Sequence, residues 1–235
     1  MKLSLLLLAA ALLPAQAAAP EVEITAEPHH RLVLENASIR VFNVDLPPHT
    51  ESLMHWHRHD YVYVMLGPTE VVNAVEGKDP VTVKLVEGET RFTPGPFAHI
   101  ARNISDQPFR NLTIEILDDA RLRQSTAKWD EDRGLDILAG GTKQILFVKN
   151  GIRATEFELQ PGGVVPMHHH AGPHLLVAVS DLDLREHTRS DAEAQSKRSL
   201  RSEKSGDVKW FPSGYSHSIT NVGAHPAKFV TLEFP

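Results

Sequence analysis

The sequence predicts an all-β protein built from two copies of one barrel or sandwich. One histidine pattern occurs twice, beginning at His55 and again at His168, about 110 residues further on. Each copy lies among short segments rich in β-branched and aromatic residues, with frequent turns between them. After residue 20 only 117–138 resembles an amphipathic helix. Many short strands with turns at close spacing are typical of β-sandwiches and barrels.

The predicted strands fall into two groups of similar length. In the first unit they are 33–35, 39–44, 61–66, 81–86 and 109–117. In the second unit they are 145–148, 154–159, 175–179, 182–184, 207–211 and 228–233. We therefore expect one domain over residues 29–117 and a second over residues 143–235. The charged, glycine-containing segment 118–142 is interpreted as the linker, with a helix around 120–129.

Residues 1–19 are interpreted as a secretory signal peptide. Lys2 precedes an apolar stretch that is too short for a stable transmembrane helix, and Ala15-Gln16-Ala17 fits the small-x-small cleavage rule. We expect cleavage after Ala17, a periplasmic or secreted protein, and no membrane attachment once the peptide is removed. The alternative is an uncleaved helix.

Composition limits the chemistry of the protein. The 235 residues include no cysteine, which excludes disulfides, thiol catalysis and thiolate metal ligands. A net charge of −6 without a basic tract argues against nucleic acid as a partner. Neither Gly-x-Ser-x-Gly nor His-Glu-x-x-His is present, so esterase and zinc-protease interpretations are poor. A small molecule is the expected partner, and the oligomeric state is left open.

The histidine spacing predicts a metal site in the second unit. His168 and His170 are two residues apart, so they point to the same face of a strand. His174 follows a Gly-Pro turn and can reach the same cavity from the next strand, and His217 follows the Pro212-x-Gly214 turn. Imidazoles from several strands of a small barrel can enclose one ion. The alternative is a metal-free pocket in which these histidines bind substrate.

These motifs resemble those of the cupin superfamily. The family's first motif is Gly, five residues, His-x-His, three or four residues, Glu, six residues, Gly; its second is Gly, five residues, Pro-x-Gly, two residues, His, three residues, Asn. The second unit matches from Gly162 to His170 and, without departure, from Gly206 to Asn221. It departs from the family where His174 replaces Glu and Asp181 replaces Gly. The resemblance implies two tandem cupin-type jelly-roll barrels.

The first unit matches the family less evenly. His55, His57, His99 and Asn103 are in place, whereas Pro96 replaces the family Gly. The position of the family Glu is ambiguous in this unit. Counting forward from His57 places it at Tyr61, whereas counting back from Gly67 places it at Asp60. His59 continues the alternation of the histidines on the same face. His55, His57, His99 and His59 are thus the candidate ligands of a first metal site; the alternative is a degenerate barrel that only stabilises its partner.

An all-neutral histidine set suits a divalent transition metal better than Mg or Ca. Fe is the leading expectation, with Zn, Mn, Ni or Cu as alternatives. The leading functional hypothesis is an exported metal-dependent enzyme with dioxygenase-like chemistry on a small organic substrate; isomerase or lyase chemistry is less favoured. His174 would act as a fourth ligand or as an acid/base group. The alternative is a non-catalytic periplasmic binder of a metal or small ligand, in which four histidines fill the coordination sphere. The remaining histidines, among them His29 and His30, are expected to be exposed.

Overall fold

The structure is a computed structural model that describes residues 21–118, 134–190 and 196–235. Over these ranges the secondary structure consists of β-strands and one short 3-10 turn, Ile24–Ala26, which confirms the all-β prediction. None of the described elements is a helix with the length and hydropathy needed to cross a membrane. The expected signal peptide, 1–19, and the expected helix, 120–129, lie outside the described residues.

The first unit consists of ten strands in two five-stranded sheets. They are β1 (Val22–Glu23), β2 (His30–Glu35), β3 (Ile39–Leu46), β4 (His55–His57), β5 (Tyr61–Met65), β6 (Thr69–Val75), β7 (Val81–Leu85), β8 (Thr90–Thr93), β9 (Phe97–Asn103) and β10 (Phe109–Ile116). One sheet has the strand order β1-β4-β9-β6-β7 and the other has the order β2-β3-β10-β5-β8.

The second unit consists of eight strands in a single sheet. They are β11 (Leu135–Lys149), β12 (Ile152–His170), β13 (His174–Ala178), β14 (Leu182–Ser190), β15 (Ser196–Glu203), β16 (Val208–Phe211), β17 (Tyr215–Asn221) and β18 (Ala227–Glu233). Their order is β15-β14-β17-β12-β18-β13-β16, with β11 paired to β12. The long strand β12 pairs with β17 near its end and with β18 near its beginning, so it bends from one face of the barrel to the other.

The segment 118–142 differs in part from the expected linker. Strand β11 begins at Leu135, and Ala139 already pairs with Val164 of β12. The two strands remain paired to the Lys149–Ile152 end of the hairpin. Gly140 and Gly141, two of the glycines that suggested a flexible connection, instead lie against β12, where the register shifts between Ala139 and Gly141.

The strand registers show that the two units are built alike. In the first unit Glu115 of β10 lies opposite both Arg40 of β3 and Tyr61 of β5. In the second unit Glu233 of β18 lies opposite Arg153 and His174 in the same way. Strands β3, β5 and β10 therefore correspond to β12, β13 and β18.

The two units share one hydrophobic core. Strands β3, β5 and β10 supply Ile39, Val41, Val62, Val64, Leu112 and Ile114, and strands β12, β13 and β18 supply Ile152, Ala154, Leu175, Val177, Val230 and Leu232. All of these side chains are fully or almost fully buried. Because strand side chains alternate, the opposite faces of the same strands are directed into the two barrel interiors, where the histidines lie.

Candidate metal centres

Two neighbouring strands bring three histidines of the second barrel together. His168 and His170 lie on β12, and His217 of β17 is the register partner of His168. The Nε2 atoms of His168 and His170 are 2.9 Å apart, and the Nε2 atom of His217 lies 3.0 Å from each of them. Nitrogens bound at right angles to an ion at about 2.1 Å are separated by about 3.0 Å. The triangle of Nε2 atoms therefore has the spacing of three ligands on one side of a metal ion.

The other ring nitrogen of each histidine faces an acceptor. The Nδ1 atoms of His170 and His217 donate to the carboxylates of Glu233 and Glu186, at 2.9 and 2.6 Å. Nδ1 of His168 donates to the backbone oxygen of Pro166, at 2.9 Å. Because carbonyl and carboxylate oxygens only accept, these contacts require the proton on Nδ1. Three Nε2 lone pairs then point at one another, an arrangement that repels unless a cation lies between them, so the donor set fits a metal ion.

Two arginines hold the carboxylates in place. Nε of Arg153 donates to Glu233 at 2.6 Å, and Nη1 of Arg201 donates to Glu186 at 3.2 Å. Burial acts to raise the pKa of Glu186, but the hydrogen bond from His217 and the charge of Arg201 outweigh it and lower the pKa. The pKa of Glu233 is lowered in the same way against the effect of burial, by the hydrogen bond from His170 and the charge of Arg153. Both carboxylates are therefore ionised and orient the imidazoles.

Burial also keeps the imidazoles of His168 and His217 neutral. It lowers the pKa of His168 to about 4, and the neighbouring histidines add to this effect. It lowers the pKa of His217 as well, although Glu186 opposes the shift. Neutral imidazole is the form that binds a metal ion.

His174 lies beside the triangle but does not belong to it. Among the described residues, the ligand atoms of His168, His170 and His217 lie within 4.8 Å of one another and could hold a metal ion, and His174 is not part of this group. The ring of His174 stacks on that of His170, with centroids 3.9 Å apart and an angle of 19° between the planes. A lone pair lies in the plane of its ring, so a ring stacked at this distance cannot direct a nitrogen to an ion about 2.1 Å from His170. The expectation of His174 as a fourth ligand is therefore not met by this geometry; the acid/base role stays a prediction.

The triangle opens on a cavity of about 430 Å³. The walls are apolar side chains together with a few polar groups, namely Ile137, Leu138, Leu176, Ile219, Phe229, Asp136, Lys143, Thr155 and Thr231. The Nζ atom of Lys143 is 3.0 Å from the carboxylate of Asp136. A cavity of this size suits a small organic molecule.

The first barrel repeats the arrangement with His55, His57 and His99. Nε2 of His99 is 3.1 Å from Nε2 of His55 and 3.2 Å from Nε2 of His57. Burial lowers the pKa of His99 to about 3 and that of His55 to about 4. Nδ1 of His55 donates to the backbone oxygen of Leu53, as His168 does to Pro166.

The neighbours of these rings differ from those in the second barrel. Nδ1 of His99 is 2.6 Å from Oδ1 of Asn73, which has the position that Glu186 has in the second barrel. The first barrel thus has a neutral amide where the second has a carboxylate. Its cavity is also smaller, at about 110 Å³.

Two expectations about the first barrel are corrected by the structure. His59 does not join the cluster, because β4 ends at His57 and the alternation stops there; His59 lies in a bend. His30, expected to be exposed, has a side chain that is only 7% exposed, and its ring lies with those of His55 and His57 in a group whose ligand atoms are all within 4.8 Å of one another. The contact joins the beginning of β2 to β4, and no local sequence pattern signals it.

Tyr61 occupies the place that His174 has in the second barrel. Its ring stacks on His57 with centroids 4.4 Å apart, and burial raises its pKa. Asp60 is buried and accepts hydrogen bonds from the Gly95 backbone and the Asn150 side chain, so it ties the loop to the second unit. The sequence left open whether Asp60 or Tyr61 takes the place of the family glutamate. In the structure Tyr61 has that place.

The motif asparagines Asn221 and Asn103 have structural roles. The side chain of Asn221 donates to the backbone oxygens of Leu159 and His225 and accepts from the backbone N–H of Gly223. Asn103 donates in the same way to the backbone oxygens of Leu46 and Gln107. Both residues fix the chain after the strand that carries the last histidine.

Comparisons with known proteins agree with this architecture. No protein-family model matches the chain. A germin-like protein of Morus alba is 35% identical over 79 residues, which cover 34% of this chain and 36% of that protein, so the match spans about a third of that relative.

The solved structures with similar folds include two oxalate decarboxylases. The enzyme of Lactobacillus farciminis, in a complex with formate, aligns with a TM-score of 0.65 and 15% identity, over 85% of this chain and 78% of its own. A structure of the Bacillus subtilis enzyme, described with Mn(II) centres, aligns with a TM-score of 0.61 and 14% identity, over 89% and 75%. At this coverage the likeness extends over both units. The chain therefore shares the two-barrel fold of these oxalate decarboxylases.

Proposed function

We propose that the protein is an exported metal-dependent enzyme that acts on a small organic substrate in the second barrel, with dioxygenase-like chemistry and Fe(II) as the leading metal. The observation that carries this proposal is the triangle of Nε2 atoms at 2.9–3.0 Å, which faces a cavity of about 430 Å³. Three protein ligands leave room for substrate, as is usual for catalytic metal sites.

A metal ion bound there would bind and polarise a chelating substrate and, if it is Fe(II), could also bind O₂. The chain's own residues prepare the site for this. Glu186 and Glu233 hold the rings of His217 and His170 and increase the basicity of their Nε2 atoms. The apolar side chains of the wall lower the local dielectric constant, which strengthens electrostatic interactions within the cavity.

His174 is proposed to contact the reacting molecule. Burial lowers its pKa to about 2, so the imidazole is neutral at any physiological pH. A neutral imidazole donates one hydrogen bond through its N–H group and accepts another, but at this pKa it does not keep a second proton. We therefore assign His174 to hydrogen bonding or transient proton transfer.

A second candidate, decarboxylation or another lyase reaction of a small carboxylate, is favoured by the fold likeness to oxalate decarboxylases and by Lys143 in the cavity wall. An ammonium group there could attract a carboxylate, although Asp136 already neutralises part of its charge. This reaction would use the metal as a Lewis acid, for which Mn(II) serves as well as Fe(II).

The test is a metal analysis of tag-free protein followed by an activity screen. Chelating diketones, phenols and thiols would be screened for O₂ consumption, and small dicarboxylates for CO₂ release. The His168→Ala/His217→Ala variant should lose one equivalent of metal and all activity, while His225→Ala, an exposed histidine, should retain both. Metal binding without turnover in either screen would favour the non-catalytic binder. Absence of metal after reconstitution with Fe, Mn, Zn, Ni and Cu would refute the proposal.

Export is tested separately. Mass spectrometry of the protein recovered from the periplasm or medium should show an N-terminus that begins at Ala18. An intact N-terminus and a cytoplasmic protein would contradict this part of the proposal.

A further inference from the structure

The first barrel contains a histidine that the repeated motif does not supply. The ligand atoms of His30, His55 and His57 all lie within 4.8 Å of one another. His30 comes from the first residue of β2, and its ring centroid is 4.7 Å from that of His55. Nε2 of His99 lies 3.1 Å from Nε2 of His55 and 3.2 Å from Nε2 of His57, so His30 and His99 are both neighbours of the same two histidines.

A buried carboxylate determines how the ring of His30 is turned. Nδ1 of His30 is 2.6 Å from Oε2 of Glu27, whose side chain is fully buried. The same carboxylate accepts the backbone N–H groups of His29 and Leu53, at 2.7 and 3.3 Å. A carboxylate held in this way accepts the Nδ1 proton and leaves the Nε2 lone pair of His30 for a metal ion.

The second barrel has a different residue at this position. His30 is paired with Val44 in the β2–β3 register, and Lys143 is paired with Phe157 in the β11–β12 register. Val44 lies four residues after Arg40, the partner of Glu115, and Phe157 lies four residues after Arg153, the partner of Glu233. Because Glu115 and Glu233 are equivalent, His30 and Lys143 occupy corresponding positions in the two barrels. A lysine ammonium has no lone pair for a metal, so Lys143 supplies no ligand at this position of the second barrel.

We propose that His30 is a fourth protein ligand in the first barrel, where His30, His55, His57 and His99 hold a structural Zn²⁺-type ion. Four protein nitrogens close the coordination sphere, as is typical of structural metal sites. The small cavity of about 110 Å³ agrees with such a role. The first barrel would then hold a closed structural site, and the second barrel a site that is open to substrate. This inference does not depend on turnover in the second barrel.

The experiment uses the full-length chain with the His168→Ala/His217→Ala changes, so that Zn²⁺ binding reports on the first barrel. The variants His30→Ala and Glu27→Gln are compared with His29→Ala, which alters a neighbouring residue of the same cavity outside the metal group. Zn²⁺ affinity is measured by competition with a chelator, and the number of bound imidazoles by X-ray absorption. Circular dichroism of the metal-free proteins checks that each variant is folded.

The parent and His29→Ala should bind about one equivalent of Zn²⁺ with four imidazoles. His30→Ala should bind about 100-fold more weakly or worse, with three imidazoles, and Glu27→Gln about 10–100-fold more weakly, with four. Equal affinity and an unchanged imidazole count in His30→Ala would overturn the proposal, as would a parent that binds no Zn²⁺. Since none of these readouts is an activity, failure here is distinct from failure of the proposed enzyme.

Discussion

The side chains that contact the motif histidines differ between the two barrels more than these motif histidines do. Glu186 and Glu233 orient ligands in the second barrel, and the first has Asn73 in place of Glu186. Glu115, the counterpart of Glu233, forms an ion pair with Arg40 at 3.3 Å. The motif histidines could be read from the sequence, but these partners come from strands far away along the chain.

We expect Glu186→Gln to weaken metal binding in the second barrel about 10–100-fold, because a neutral amide no longer increases the basicity of His217. Glu156→Gln is the matched control, since Glu156 pairs with Lys228 and does not line the cavity. Chelator competition measures the affinity. If both variants bind as the parent does, the carboxylate has no part in tuning the site.

Glu115 should make stability depend on pH. Burial raises its pKa to about 7 from an ordinary 4.5, in spite of Arg40. Between these values the folded protein retains a proton that the unfolded chain has released, so the contribution of Glu115 to stability is greatest below about pH 4.5 and is lost as the pH rises through 7. In metal-free protein, Glu115→Gln should flatten this fall. Urea unfolding between pH 5 and 8 measures it.

The control is Glu35→Gln, which removes the exposed partner of the same Arg40. Its stability should follow the pH profile of the parent. A parallel profile for Glu115→Gln as well would show that this carboxyl is already ionised at low pH.

At the scale of elements, the turn between β12 and β13 sets the distance between His170 and His174. Gly172 lies in this turn, and a Cβ atom on it would overlap the backbone oxygen of Phe234. We expect Gly172→Ala to destabilise the protein by about 1–3 kcal/mol, because the backbone must move. Gly67→Ala is the control, since a Cβ atom there meets nothing. Thermal unfolding compares the two; equal melting temperatures would contradict the steric argument.

The sequence predicted five of the ten described strands of the first barrel and six of the eight of the second, because these β-branched segments end at Pro, Gly, Asn and Asp. It did not predict where strands stop or which remote segments meet. The alternating histidine pattern predicted that the strand continues to His59, whereas β4 ends at His57. His30 reaches the first site through a tertiary contact, and β11 begins inside the expected linker. Such features depend on long-range pairing, which a local pattern does not contain.

At the scale of the whole molecule, the two barrels are joined by a common core rather than by a polar interface. Ile114 of the first unit and Val230 of the second belong to the same cluster, and both are completely buried. A large apolar contact couples the stability of its two sides, because neither sheet can be exposed without loss of the burial of the other. We therefore expect both units to unfold in one transition.

Ile114→Ala tests this coupling from the first unit. It should lower the stability by about 2–5 kcal/mol, the usual cost of such a truncation in a core. In a Trp56→Phe/Trp129→Phe background, which leaves Trp210 as the one tryptophan, the transition should remain single when followed both by far-UV circular dichroism and by fluorescence. Trp210 packs against the same core from the second unit. Leu200→Ala is the control, because Leu200 is 72% exposed and its truncation should change little. Two separate transitions in Ile114→Ala, with the fluorescence change unshifted, would mean that the second barrel is stable without the first and that the shared core does not couple them.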